Sequence, residues 1–261
     1  MRFRPCIDIH NGKVKQIVGG SLQDRGDQAV ENFVSEQDAP FYARLYRSLG
    51  IRGGHIILLN PAASPFYEET KQQALQALRA YPGGLQVGGG IHDGNAHEFL
   101  DAGASHVIVT SFVFRDGKIS WENLEHLEKA VGKEHLVLDL SCRRKDGQYY
   151  IVTDRWQKFT EVPVTRQTLQ EFSSHCDEFL IHAVDVEGKA SGIETELVKL
   201  LAECRQMPVT YAGGVGSFAH LEQLRQAGNN HVDVTVGSAL DIFGGHMKLE
   251  RVLSFCSDSM N

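Results

Sequence analysis

Along this chain, short runs of β-branched and apolar residues alternate with longer amphipathic segments. Eight runs read as strands: Phe3–Ile9, His55–Leu59, Leu85–Gly88, His106–Thr110, Leu136–Leu140, Phe179–Val184, Val209–Ala212 and Val232–Val236. Eight segments carry apolar residues at a spacing of three to four and read as helices. They are Ala39–Leu49, Glu68–Ala80, Asn95–Ala102, Trp121–Val131, Arg166–His175, Glu194–Cys204, Phe218–Ala227 and Lys248–Phe255. Strands that are apolar on both faces, each followed by a helix, belong in a parallel sheet covered on both sides. Eight such units predict a closed (β/α)8 TIM barrel, with a doubly wound open sheet as the structural alternative.

No linker interrupts the alternation, so one domain spanning residues 1–261 is expected. Three stretches read as surplus loop: Asn11–Glu36, Ser141–Val164 and Ala183–Ile193. They follow strands one, five and six, on the side of a parallel barrel where its active face is built.

The two halves of the chain echo each other. Asp8 and Asp139 end strands one and five, 131 positions apart. Gly90 and Gly214 follow strands three and seven, 124 apart, and Ser111 and Ser238 follow strands four and eight, 127 apart. Three pairs in one order at a nearly constant offset point to two duplicated (β/α)4 half-barrels, approximately residues 1–130 and 131–261.

The repeat gives the motifs a chemical meaning. A glycine at a strand end lets backbone N–H groups approach a ligand, and the next helix turns its positive end to the same place. A TIM barrel holds phosphate after strands seven and eight, and the repeat supplies a second such cradle after strands three and four. Two cradles across one mouth predict a small molecule carrying two phosphates. Asp8 and Asp139, between them, suit general acid–base chemistry on its middle.

Composition narrows the partners. Twenty-six Lys and Arg against 33 Asp and Glu leave a net charge of −7, the wrong field for non-specific nucleic-acid binding. Five scattered cysteines without a CxxC pair argue for a reducing compartment and against a disulfide framework or structural zinc. The longest apolar stretches fall well short of the ~20 residues of a membrane span. The opening Met-Arg-Phe-Arg-Pro shows no targeting segment, although a trimmed one would leave the same start. A monomer in the cytoplasm is expected, or in a plastid stroma if the source is a plant and a transit peptide was removed.

The motif Cys6-Ile7-Asp8-Ile9-His10-Asn11-Gly12-Lys13-Val14 resembles the opening of the histidine-biosynthesis barrels. With it go Gln86-Val87-Gly88-Gly89-Gly90-Ile91, Tyr211-Ala212-Gly213-Gly214 and Val236-Gly237-Ser238, so the resemblance covers nearly the whole chain. Within that family the isomerase branch is most similar. Gln16-Ile17-Val18-Gly19-Gly20-Ser21-Leu22 and Asp241-Ile242-Phe243-Gly244-Gly245 resemble its eukaryotic members.

The resemblance implies an Amadori rearrangement, aminoaldose to aminoketose, on a bisphosphorylated ribotide, with no metal and no redox cofactor. It implies Asp8 as base and Asp139 as acid. One phosphate cradle becomes Gly90, Thr110 and Ser111, and the other Gly188, Gly214, Gly237 and Ser238. His182 stands where many members have a threonine and could bond the substrate or an aspartate. Glu187 replaces an aspartate and competes with Asp139 for the acid role. Trp156 resembles a tryptophan that stacks on the aminoimidazole, flanked by Arg143, Arg144 and Arg155, which could cover a phosphate or carboxamide. The cyclase branch of the same barrels, and a non-catalytic phosphosugar-binding barrel, are the alternatives. Against the cyclase, its first-loop lysine aligns with Gln16. The remaining histidines, such as His92, His97, His126 and His220, read as helix surface or loop.

Overall fold

A computed structural model of the protein describes residues 1–18 and 31–257; Gly19–Leu22 of the first-loop motif lie outside them. Eight parallel strands alternate with eight helices in chain order. The strands are β1 (Cys6–His10), β2 (Gly54–Leu58), β3 (Leu85–Gly88), β4 (Val107–Val109), β5 (Leu136–Asp139), β6 (Glu178–His182), β7 (Val209–Ala212) and β8 (Asp233–Thr235). The helices are α1 (Ala39–Ser48), α2 (Tyr67–Ala80), α3 (Ala96–Asp101), α4 (Trp121–Val131), α5 (Arg166–Phe172), α6 (Thr195–Leu201), α7 (Phe218–Ala227) and α8 (Leu249–Ser257). Each strand pairs in parallel with its successor from β1 to β8. The ring closes where the segment before β1 meets β8: Arg4 N–H donates to the Val234 carbonyl at 2.8 Å and Val234 N–H to that of Arg2 at 2.9 Å. This is the TIM barrel the alternation predicts.

Side chains alternate between two environments, as the period of two requires. Ile56, Val87, Leu138, Ile181, Tyr211 and Val234 are buried against the helices in the main core. Ile57, Ile108, Val137 and Leu180 form a separate apolar cluster, the plug inside the barrel. β6 shows the layering in one strand. Glu178 lies below the plug, Leu180 in it and His182 above it, two residues apart on one face. Helix starts are fixed by local chemistry: Asp38, Ser120, Thr165 and Ser217 each accept a backbone N–H in the first turn of α1, α4, α5 and α7.

Two of the three surplus loops are not loops. Lys13–Ile17 pairs antiparallel with β1 and with Glu31–Val34, extending the sheet. Within Ser141–Val164, Cys142–Lys145, Gln148–Thr153 and Lys158–Pro163 form a three-stranded antiparallel arm. The cause is turn chemistry. Asn11-Gly12 and Asp146-Gly147 hold φ of +52°/+70° and +51°/+82°, the left-handed pair that a two-residue hairpin needs and that Asn-Gly and Asp-Gly favour. Reading each strand as handing over to a helix hid those hairpins.

Candidate active site

The ends of β1, β5 and β6 converge at the C-terminal mouth of the barrel. β1 and β5 lie four strands apart in a ring of eight, so Asp8 and Asp139 enter from opposite sides. Asp8 lines a cavity with Cys6, His55, His182, Glu187, Thr235, Gly188, Gly214, Gly237 and Ser238. Burial pushes its carboxyl up to about 7; the pull of His182 and the push of Glu187 are smaller influences.

Asp139 does not line that cavity. It is buried behind His182 and accepts from the Ser141 N–H at 2.8 Å and from the Ser141 hydroxyl. His182 Nδ1 lies 3.0 Å from Ser141 Oγ and 3.9 Å from Asp139 Oδ1. Burial alone would raise the Asp139 carboxyl, but His182 and the two Ser141 bonds outweigh it and hold it below its ordinary value. The reverse holds for His182. Burial would lower it, yet Asp139, Glu187 and Asp8 together carry it above its usual value. Glu187 is raised, chiefly by burial. These opposed shifts describe one anion, the Asp139 carboxylate, beside an imidazole that retains its proton.

The paired glycines adopt matching conformations. Gly89 and Gly90 have φ of +102° and +70°, Gly213 and Gly214 +126° and +72°. A Cβ on Gly214 would stand 1.9 Å from the Gly192 carbonyl oxygen, whereas one on Gly90 would meet nothing within 4 Å. Backbone crowding therefore demands glycine at 214. At 90 only the dihedral angle and the open space above it favour one.

Gly188, Gly214, Gly237 and Ser238 share the cavity with Asp8, His182 and Glu187. Gly90, Thr110 and Ser111 lie outside it, at the ends of β3 and β4 on the other side. The arm reaches across to them: Asp154 N–H donates to Ser111 Oγ at 3.4 Å. Asp154, Arg155 and Trp156 form an unbroken left-handed run, with φ of +50°, +56° and +69°. Such a run of non-glycine residues is strained, and it carries the Trp156 ring to 5.3 Å from that of His182. Arg155 is half-buried, and burial lowers its guanidinium from its ordinary value. Arg143, expected to cover a ligand group, is engaged elsewhere: Nε donates to Asp185 at 2.9 Å and the guanidinium lies over Phe159.

Three residues of the site lie outside every sequence motif: Thr235, which lines the cavity, His55 and Ser141. His55, on β2, packs edge-on against His182 with ring centres 5.6 Å apart, and burial lowers it to about 3, so it is neutral. Ser141 follows Asp139 by two. A histidine inside an otherwise apolar strand run was the available signal for His55. Nothing in the sequence singles out Ser141.

Among the described residues, no group of His, Cys, Asp and Glu has the geometry of a metal site, and no helix is long and apolar enough to cross a membrane. All five cysteines are buried and unpaired. The fold and site define a (β/α)8-barrel protein with its titratable groups gathered at the C-terminal mouth, where barrel enzymes carry their chemistry. The model of the histidine biosynthesis protein family matches residues 2–248, and the chain belongs to that family. It is 54% identical over 259 residues to a Medicago truncatula protein, covering 98% of this chain and 81% of that one. That protein is named as a chloroplastic isomerase of (phosphoribosyl)-(phosphoribosylamino)methylideneamino-imidazole carboxamide. Isomerases of the same name from Neurospora crassa and Saccharomyces cerevisiae are 45% and 41% identical. Each match covers 94% of this chain, and 93% and 94% of those proteins respectively.

Proposed function

We propose that this chain is the isomerase its relatives are named for. It would convert the bisphosphorylated aminoaldose ProFAR to its aminoketose isomer PRFAR in histidine biosynthesis. The observation that carries the reading is the cavity itself: a carboxyl poised near neutrality, Asp8, faces a proton-bearing imidazole, His182, backed by the buried Asp139 anion.

In this reading the acid protonates the ring oxygen of the aminated ribose. The C1–O bond breaks, leaving a hydroxyl and a protonated Schiff base at C1. Asp8 takes the C2 proton and returns it to C1 as the enolamine becomes the ketone, while the proton of the C2 hydroxyl restores the acid. Protons balance and nothing is oxidised from outside, so the step asks for no metal or redox cofactor. His182 is the group placed to deliver the acid's proton. Asp139, anionic and turned into the barrel, serves it from behind, and Glu187 is the competing donor. A base near 7 matches neutral working conditions.

One phosphate goes to Gly188, Gly214, Gly237 and Ser238, the other to Gly90, Thr110 and Ser111, with Trp156 against the aminoimidazole and Arg155 at its side. The barrel acts as one domain over residues 1–261, duplicated from two halves, and as a monomer. The compartment is a plastid stroma if the chain comes from a plant, as the Medicago relative's name suggests, and the cytoplasm otherwise.

The test is turnover of the purified aminoaldose, followed by its absorbance change and by chromatography of the ketose. Conversion without ammonia is the expected result. Consumption of the ketose only when ammonia is supplied would mark a cyclase instead, and no change in either would leave a binding protein.

A further inference from the structure

We propose that Ser141 is a positioning residue for the isomerisation, its hydroxyl linking Asp139 to His182 and fixing which nitrogen of His182 faces the substrate. The inference rests on the function proposed above and adds a residue that neither the motifs nor the family resemblance mark.

The hydrogen-bond inventory decides the direction of each bond. A hydroxyl has one proton and two acceptor positions. Asp139 is an anion and can only accept, so the Ser141 hydroxyl donates to its Oδ1. The Ser141 oxygen is then left as an acceptor toward His182 Nδ1, 3.0 Å away. It also accepts the His182 backbone N–H at 3.4 Å. Nδ1 must therefore carry a hydrogen. The direct separation of Nδ1 and Asp139 Oδ1, 3.9 Å, is too long for a hydrogen bond, so the serine makes the connection. Ser141 is fully buried, and its own N–H to Asp139 at 2.8 Å fixes the carboxylate as well.

The consequence falls on Nε2, the nitrogen left for the cavity side. Protonated, His182 offers its second N–H there. Once that proton is given up, the ring is already in the Nδ1–H tautomer and Nε2 is ready to take a proton back. No side chain has to turn over during the cycle. The other groups facing His182 are consistent with this. His55 from β2 is neutral, Trp156 from the arm covers the ring, and Glu187 after β6 and Asp8 from β1 are the remaining charges near it. None of these has a hydrogen bond to the His182 ring among the described contacts.

The experiment combines a tautomer measurement with a mutation. In the intact wild-type protein, 15N-histidine NMR should show His182, assigned by its loss in His182→Gln, as the Nδ1–H tautomer above its titration. An Nε2–H tautomer would overturn the proposal without any Ser141 variant having to fold. Ser141→Ala should lower kcat about 10- to 100-fold with KM within twofold. It should also move the alkaline limb of the kcat profile down by about one pH unit, and Ser141→Thr should recover part of both. Unchanged kcat and an unchanged alkaline limb in a folded Ser141→Ala protein would overturn it equally. A wild-type protein inert toward the aminoaldose would remove the underlying function, and with it the role in catalysis. The tautomer is read independently of turnover, so the two failures are distinguishable.

Discussion

Asp8 shows how one residue's surroundings set its chemistry. No hydrogen bond holds its carboxylate among the described contacts, and burial moves its titration from 3.8 to about 7. In the proposed mechanism the base form is lost on acidification. Turnover should fall about tenfold per pH unit below 7, and Asp8→Asn should lower kcat by ~10²–10⁴-fold while the substrate still binds. The same shift bears on stability. A carboxyl whose folded titration lies above its unfolded one contributes fully below about pH 4, and that contribution declines as pH rises toward 7. Asp8→Asn should therefore melt at a higher temperature than wild type at pH 8 and at nearly the same temperature at pH 4. A melting point lowered at pH 8 would count against the buried carboxylate as the source of strain.

At the scale of elements, the two glycine turns look alike in the sequence but have different constraints. Gly214 sits where any Cβ would run into the Gly192 carbonyl, and Gly90 has open space. Gly214→Ala should lower the melting temperature markedly, because backbone must move. Gly90→Ala should cost only the left-handed strain, ~1–2 kcal/mol, yet raise KM for the bisphosphorylated substrate by putting a methyl group into the proposed cradle. Thermal melts of the two variants beside KM measurements check this; a Gly90→Ala protein with wild-type KM would remove that cradle. The hairpins belong to the same scale. Their Asn-Gly and Asp-Gly turns were readable, but the residues between them do not say that the arm would fold back over β6. That is settled by pairings distant in sequence, such as Cys142 against Ala183.

The whole barrel is tied together at the end opposite the site. Arg4 Nε contacts Asp233 at 3.0 Å and its Nη2 contacts Glu178 at 3.4 Å, while Gln86 and Thr210 donate to the same glutamate. All five residues are buried, and they join the segment before β1 to β3, β6, β7 and β8. Without the Glu178 carboxylate Arg4 keeps Asp233, but Arg4, Gln86 and Thr210 lose a shared buried acceptor, a cost of ~1–3 kcal/mol. Glu178→Gln should therefore unfold at a clearly lower urea concentration than wild type. Its kcat at low temperature should stay close to that of wild type, because the apolar plug separates this layer from the mouth. An unchanged urea midpoint would mean that the network adds nothing to closure.

The amino-acid pattern alone specifies the eight strands and eight helices of the barrel, their order, and the identity of the strand-end residues. These follow from local rules, namely the two periods of hydrophobic positions and the backbone needs of glycine. The places of the strand-end residues in the strand order, four apart in a ring of eight, put Asp8 opposite Asp139 and one glycine turn opposite the other. What those residues touch depends on how the strands and the arm pack together. That packing withdrew Asp139 behind His182, set Ser141 between them, slid His55 beneath, engaged Arg143 with Asp185 and bent the arm so that Trp156 meets the imidazole. Each is a contact between side chains from different strands, made in a shared low-dielectric space. Proton affinity there depends on neighbours that no spacing along the chain records.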